Sequence, residues 1–320
     1  MSQIAQQIAQ ELNVKPTQVT AAISLLDDGA TVPFIARYRK EKTQGLDDGH
    51  LRQLATRLTY LRDLRDRKQV ILTNIKQQGL LTDTLAQSIE HADNKTSLED
   101  LYLPYKPKRR TKGQIASEAG LLPLADKIFG NNQVVPTQEA ELFINKDAGF
   151  DDVDKVLDGV MSILAERLSE DAGLLQKLRR HVKANGHLVS KVVKAKKNDA
   201  VKFKDYFDHS EAIKKVASHR VLAMLRGKNE GFLRVSITVD PNQEKVSVSS
   251  AEQIIMEHLG WRLSAQPAAK FLTQLISFSW KTKLSGYLET EFLGQLRDIA
   301  EVDSINVFAN NLKDLLMGAP

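Results

Sequence analysis

The stretch Asp47–Gly79, DDGHLRQLATRLTYLRDLRDRKQVILTNIKQQG, decides the fold class. Leu51, Leu54, Leu58 and Leu61 recur at spacings of three and four, and Leu64, Ile71 and Ile75 continue the stripe with a slip. Apolar residues at that spacing share one face of an α-helix. The stretch therefore predicts one helix of roughly 30 residues, about 45 Å long. Its other face carries Arg57, Arg62, Arg65, Arg67 and Lys68, interspersed with Asp63 and Asp66. Gly79 closes it as a C-terminal cap. Thr82–His91 reads as a helix returning against it, which makes a helical hairpin. The polar slip at Arg65 and Lys68 interrupts the heptads that an intermolecular coiled coil would need.

Upstream, Ile4, Ile8 and Leu12 share a face of a short helix over Ser2–Leu12. The chain restarts at Val14–Thr17, with Pro16 in a first turn where its missing N–H is harmless. The next helix carries Val19, Ala22, Ile23 and Leu26 and stops near Asp28 and Gly29. Two short helices and a tight turn raise the question of a helix-turn-helix DNA reader. The outer face of the second is poor in the Arg, Lys and Asn that reading needs, which argues against that role.

Downstream, Pro104 and Pro107 predict extended backbone at Leu103 and Lys106. Residues 96–120 thus form an extended basic strap after N-terminal helices over 1–95. Helices resume at Leu121–Phe129, Asp152–Leu168 and Ala172–Ala184, giving a helical segment over 121–186. Leu188–Val193 and Leu233–Val239 alternate and are β-branched, so they read as strands. Val246 and Val248 suggest a third, and Ile213–Leu225 a helix between the first two, so 187–250 is a small α/β element. The closing segment 251–320 is helical, with Trp261, Phe271, Phe278, Trp280, Tyr287 and Phe292 as expected core and a last helix over Ser304–Met317. The fold class is mainly α: an elongated multi-helix scaffold with a long helical hairpin and a small α/β insertion.

Composition narrows the function. The chain has 320 residues, no cysteine and a net charge of +5. Thiolate metal sites, disulfides and cysteine nucleophiles are excluded, which fits a reducing cytoplasm. No secretory signal and no apolar run of membrane-spanning length is present, so no membrane partner is expected. Lys177–Lys228 holds fifteen Lys and Arg against four Asp and Glu, a net of +11. Charge so uneven points to a polyanion partner.

Catalytic signatures are missing. The sequence contains no G-x-x-x-x-G-K, G-x-G-x-x-G, H-E-x-x-H or G-x-S-x-G. No catalytic residue, metal or cofactor is expected, and the chain reads as non-enzymatic. Asp151, Asp152, Asp154 and Asp158 lie at a helix start, where carboxylates favour the dipole; they lack EF-hand spacing. His181 and His187 are separated by Gly186 and do not share a helix face. Ser218, His219 and Arg220 read as a capped, surface-paired helix start.

The strongest local candidate is the strap. Lys106, Lys108, Arg109, Arg110 and Lys112 place five cations within seven residues, beside Tyr102 and Tyr105. They could neutralise phosphates while a tyrosine stacks a base. Equally, the tyrosines could be buried anchors and the cations surface charge. A second candidate is Lys194, Lys196 and Lys197, for which a solvated loop is the favoured alternative.

TVPFIARYRKE (Thr31–Glu41), SLEDLYLPYKPKRRTKGQIA (Ser97–Ala116), SHRVLAMLRGKNEG (Ser218–Gly231) and SINVFANNLKDLLMGAP (Ser304–Pro320) resemble, in order, the Tex family. The resemblance implies a bacterial transcription accessory factor that binds RNA or DNA, with a core similar to a eukaryotic elongation factor. Contacts with the transcription or translation machinery are a second expectation, raised by the long Arg-lined helix over Asp47–Gly79, which offers more surface than a small core requires. The resemblance also implies that Tex proteins continue, past the segment matching Ser304–Pro320, with ribonuclease-H-like, helix-hairpin-helix and OB-fold domains that this chain lacks. A deliberate fragment or a truncated gene product would both explain the stop. The expected function is non-catalytic phosphate-backbone binding that weakens with salt. The alternative is a protein-interaction platform for that machinery or for the remaining Tex domains.

Overall fold

The 30-residue helix is present: α4 runs Asp48–Gln77, with Asp47 as N-cap accepting from the His50 N–H. In the computed structural model, which describes residues 3–106, 110–241, 248–263 and 266–318, the chain divides into two compact units, Met1–Lys106 and Pro107–Pro320.

In the first unit, α1 (Gln3–Glu11), α2 (Pro16–Asp27) and α3 (Val32–Tyr38) pack on the first half of α4. There Leu51, Leu54, Leu58 and Leu61 join Ile8, Val19, Ala22 and Ile35 in one core. The second half of α4 serves another core. Leu64, Ile71 and Ile75 meet Ile89 of α5 (Asp83–Glu90) and Leu98 and Tyr102 of α6 (Lys95–Tyr102). The handover falls between Leu61 and Leu64, and the slip at Arg65 and Lys68 follows it, inside the second core.

The expected extended strap is corrected in part. Helix α6 and a 3-10 turn over Leu103–Tyr105 carry the chain to Lys106. Leu103 is helical (φ −51, ψ −41) although it precedes Pro104. Burying Tyr102, whose ring lies 5.5 Å from the Arg67 guanidinium, outweighs the pre-proline restriction. Lys106 is extended (ψ 128) as predicted. Lys108 and Arg109 lie outside the described residues.

The second unit opens with α7 (Lys112–Glu118), α8 (Leu122–Gly130) and α9 (Pro136–Glu141), which pack on α10 (Val153–Ser169). Asp152 caps α10 by accepting from the Lys155 N–H. The close approach of α7 to α10 depends on Gly113, since a methyl there would stand 2.5 Å from Glu166 Oε2.

After α11 (Ala172–Asn185) comes a three-stranded antiparallel sheet: β1 (His187–Val192) is central, between β2 (Asp208–Ala212) and β3 (Leu233–Thr238). Strands β1 and β3 match the prediction. The third strand is β2, not the segment around Val248, which forms a bend, while Val246 lies outside the described residues. The sequence DHSEA has little intrinsic strand preference; the open edge of β1 recruits it. The helix expected from Ile213 begins later, as α12 (Ser218–Asn229), because the Ile213 N–H bonds the Gly186 carbonyl beside β1.

Helices α13 (Ser250–Leu259) and α14 (Ala269–Ser279) follow, then a π-turn over Trp280–Leu284 and α15 (Ser285–Met317). The last helix is thus far longer than Ser304–Met317. Leu293 and Ala300 of α15 pack with Val221, Met224 and the inner sheet face, and this burial carries the helix through Gly294. The aromatic core is corrected too. Phe271 and Phe292 are buried, but Phe278 and Tyr287 are exposed, and Trp261 and Trp280 are half-buried. Phe278 lies at the edge of the buried face of α14, which is centred on Leu272, Leu275 and Ser279.

Candidate nucleic-acid interface

A cation is available to a polyanion only if no carboxylate already holds it. On α4 the arginines are held. Arg57 forks onto Glu11 at 2.6 Å, Arg62 onto Asp27 at 2.7 Å and Arg67 onto Glu99 at 2.6 Å. Lys68 donates to the Glu90 carbonyl. The Arg57 and Arg62 guanidiniums hold the Glu11 and Asp27 carboxyls below their ordinary values. The arginine face of α4 therefore clamps neighbouring helices.

The strap is divided in role. Tyr102 is buried and its hydroxyl accepts from Asn74 at 3.3 Å; Tyr105 receives the Gln78 side chain on its carbonyl. Tyr102 is an anchor and not a stacking platform. Arg110 bonds Glu118 at 3.0 Å. Thr111 caps α7 and donates to Glu166 at 2.9 Å. Lys106 and Lys112 are exposed, and neither has an ion pair among the described residues.

The basic region of the second unit sorts the same way. Arg179 meets Glu291 at 2.8 Å, Lys202 and Arg226 share Glu230, and Arg220 meets Glu211 at 2.9 Å. Lys202 first, then Arg226, draws the Glu230 carboxyl below its ordinary value. Ser218 is not the helix cap that the sequence suggested. Ala217 holds that position without a side-chain acceptor, and Ser218 donates to Asp303 at 2.6 Å.

Of the cations without an ion pair among the described residues, five gather at one end of the sheet, while Lys177, Arg180, Lys183, Lys204, Lys214 and Lys215 are exposed on other elements. β1 ends at Val192, and a 3-10 turn over Lys194–Lys196 follows. The Val193 N–H bonds the Phe232 carbonyl, which brings this turn beside the start of β3. Lys196 Nζ lies 5.8 Å from the Phe232 ring. Lys191 stands opposite Arg234 on one side and Asp208 on the other. Lys191, Lys194, Lys196, Lys197 and Arg234 are all exposed, and none has an ion pair among the described residues. Sequence reasoning found the three lysines of the turn. It missed Lys191 and Arg234, which sit on strands; their alternation with buried Ser190, Leu233 and Val235 is the signal that marks them as outward.

Among the described residues, no group of three or more His, Asp and Glu side chains is placed to hold a metal ion. None of the described helices is long and apolar enough to cross a membrane.

Comparison with known proteins shows which family the sequence matches. Residues 2–76 match the Tex-like protein N-terminal domain, and residues 131–308 match the Tex central region-like family. YhgF of Escherichia coli is 54% identical over 98% of this chain and 41% of its own length. The transcriptional accessory protein Tex of Neisseria gonorrhoeae is 48% identical over 98% of this chain and 41% of its own length. The human S1 RNA-binding domain-containing protein 1 is 29% identical over 99% of this chain and 32% of its own length. The chain thus spans about two fifths of each of the two bacterial relatives named. With the central-region match alone covering more than half of its residues, the chain belongs to the Tex family.

Proposed function

We propose that this chain is the helical scaffold of a non-catalytic, cytoplasmic transcription accessory factor, and that it holds RNA or DNA by the phosphate backbone. One observation carries the reading: Lys191, Lys194, Lys196, Lys197 and Arg234 are exposed at one end of the sheet without ion pairs among the described residues. The names of the bacterial relatives support the transcription role. Cations at the sheet end displace condensed counterions from phosphates and read no bases. Five phosphate contacts give a log–log salt slope of roughly −4, so affinity falls by about 10²-fold between about 50 and about 200 mM salt. Filter binding at the two salt concentrations tests this. Replacing all five residues with Gln is expected to flatten the slope and weaken binding. Affinity indifferent to salt, or unchanged by the replacement, refutes the reading. Replacing Lys106, Lys108, Arg109 and Arg110 with Ala tests the strap separately; unchanged affinity assigns it a structural role.

A second reading is a protein-docking platform. It is favoured by the last turns of α15, where Ile305, Phe308, Leu312 and Leu315 are exposed at a three-four spacing. Pull-down from nuclease-treated lysate separates the two readings: partners that vanish with nuclease count against docking.

A further inference from the structure

The first unit carries a charged surface that the α4 pairing leaves untouched. From the end of α3 to the start of α4 the sequence is Arg37-Tyr38-Arg39-Lys40-Glu41-Lys42-Thr43-Gln44-Gly45. Arg37, Arg39, Lys40 and Lys42 are exposed, and none has an ion pair among the described residues; Glu41 is the only acid in the stretch. On α4, by contrast, Arg57, Arg62 and Arg67 each face a carboxylate. Two aromatic rings stand with the four cations. Tyr38 is 65% exposed and Phe34 41%, their centroids 5.3 Å apart, with the Arg39 guanidinium 5.2 Å from the Phe34 ring.

The segment is held firmly. Thr43 is wholly buried; its N–H bonds the Arg39 carbonyl and its hydroxyl the Lys40 carbonyl. The Gly45 N–H also bonds the Lys40 carbonyl, at 2.9 Å, and Gln18 donates to the Gln44 carbonyl. Gln44 (φ 52) and Gly45 (φ 92) turn the chain in the left-handed region, and Leu46 then plugs into the core. The result is an open groove of about 750 Å³ with Tyr38 and the cations along its walls. Beyond the Phe34 contacts, a tyrosine two-thirds in water and cations with no ion pair among the described residues contribute little to the fold.

Cations neutralise phosphates, and an exposed ring beside them offers a stacking face. A base can use that face only when it is not already stacked in a duplex. We propose that the α3–α4 connection binds single-stranded nucleic acid, with Tyr38 stacking a base and Arg37, Arg39, Lys40 and Lys42 neutralising the adjoining phosphates. This rests on the nucleic-acid reading above for its ligand class, but uses a separate site.

The test uses the full chain and three probes: a labelled single-stranded RNA of about 12 nucleotides, within the usual span of such sites, the same sequence as a duplex, and a poly-glutamate peptide. Tyr38→Ala is expected to weaken single-strand binding roughly tenfold, leave duplex binding and the salt slope alone, and keep the wild-type melting temperature. Tyr38→Trp restores the loss. Replacing the four cations with Gln lowers the single-strand salt slope by about 3. Equal loss for single strand and duplex, no loss with Tyr38→Ala, or a quadruple variant that loses only poly-glutamate overturns the site. The five-Gln sheet-end variant is run alongside. If wild type binds no nucleic acid, both readings fall. If the sheet-end variant alone loses RNA, only this one falls; if the α3–α4 variants alone lose it, this one stands and the sheet end fails.

Discussion

Replacing Gly113 with Ala tests how the basic segment is fastened to the second unit. A methyl at Gly113 would lie 2.5 Å from Glu166 Oε2, 2.7 Å from its Cδ and 3.0 Å from the Ser162 carbonyl oxygen. Ordinary carbon contacts need about 3.5–4 Å. Two escapes exist. Helix α7 can retreat from α10, an overpacking strain of about 1–3 kcal/mol. Alternatively Glu166 can swing away and lose the Thr111 hydroxyl, a hydrogen bond to a charged acceptor that contributes about 1.5–3 kcal/mol. Ala in place of a helical Gly returns about 0.5–1 kcal/mol. The net is a loss of about 1–2 kcal/mol, or a melting point lower by about 2–8 °C for a unit of this size. Far-UV circular dichroism with urea and heat reads it. Gly294 in α15 has nothing within 4 Å of the added methyl, so Gly294→Ala is expected to stabilise by about 0.5–1 kcal/mol. In a Glu166→Ala background the Gly113→Ala cost should fall, because only the 3.0 Å approach to the Ser162 carbonyl remains. A Gly113→Ala protein that melts at or above wild type, or whose cost is undiminished without Glu166, refutes the close-packing argument.

Two further predictions concern the second unit. Burial raises the Asp171 carboxyl, but the Leu174 N–H and His258 outweigh it and leave the pKa below its ordinary value of 3.8. A depressed carboxyl stabilises the fold above its unfolded pKa and loses that contribution as pH falls through the folded value. The stability gap between wild type and Asp171→Asn should therefore be full at neutral pH and shrink below about pH 4; a gap that widens in acid contradicts the sign. The Arg179–Glu291 pair joins α11 to α15 with both side chains mostly buried, at 15% and 17% exposure. Glu291→Gln should cost about 1.5–3 kcal/mol in urea unfolding, and an unchanged midpoint would reduce the pair to a surface contact.

Local patterns were legible where they are local. The stripe from Leu51 to Ile75 placed α4, and Asp47, Thr82 and Asp152 cap helices as their side-chain chemistry predicts. Strands β1 and β3 followed from alternation. β2 did not, because Asp208–Ala212 becomes a strand only when β1 offers it an edge. The helical turn at Leu103 was misjudged because a proline rule reaches one residue, whereas the burial of Tyr102 against α4 depends on residues far away in sequence.

The candidate site shows the same division. The sequence by itself established a mainly helical chain, the excess of positive charge in Lys177–Lys228 and its Tex character. It could not say which cations are free. Arg57 is matched by Glu11, 46 positions away, and Arg62 by Asp27, 35 away. Arg37 and Lys194 look no different in composition, yet stand unpaired among the described residues. Helical period, capping and strand alternation act over a few neighbouring residues. Ion pairing and exposure depend on which distant segments the fold brings within a few ångströms, so only the tertiary structure separates a clamp from a binding surface.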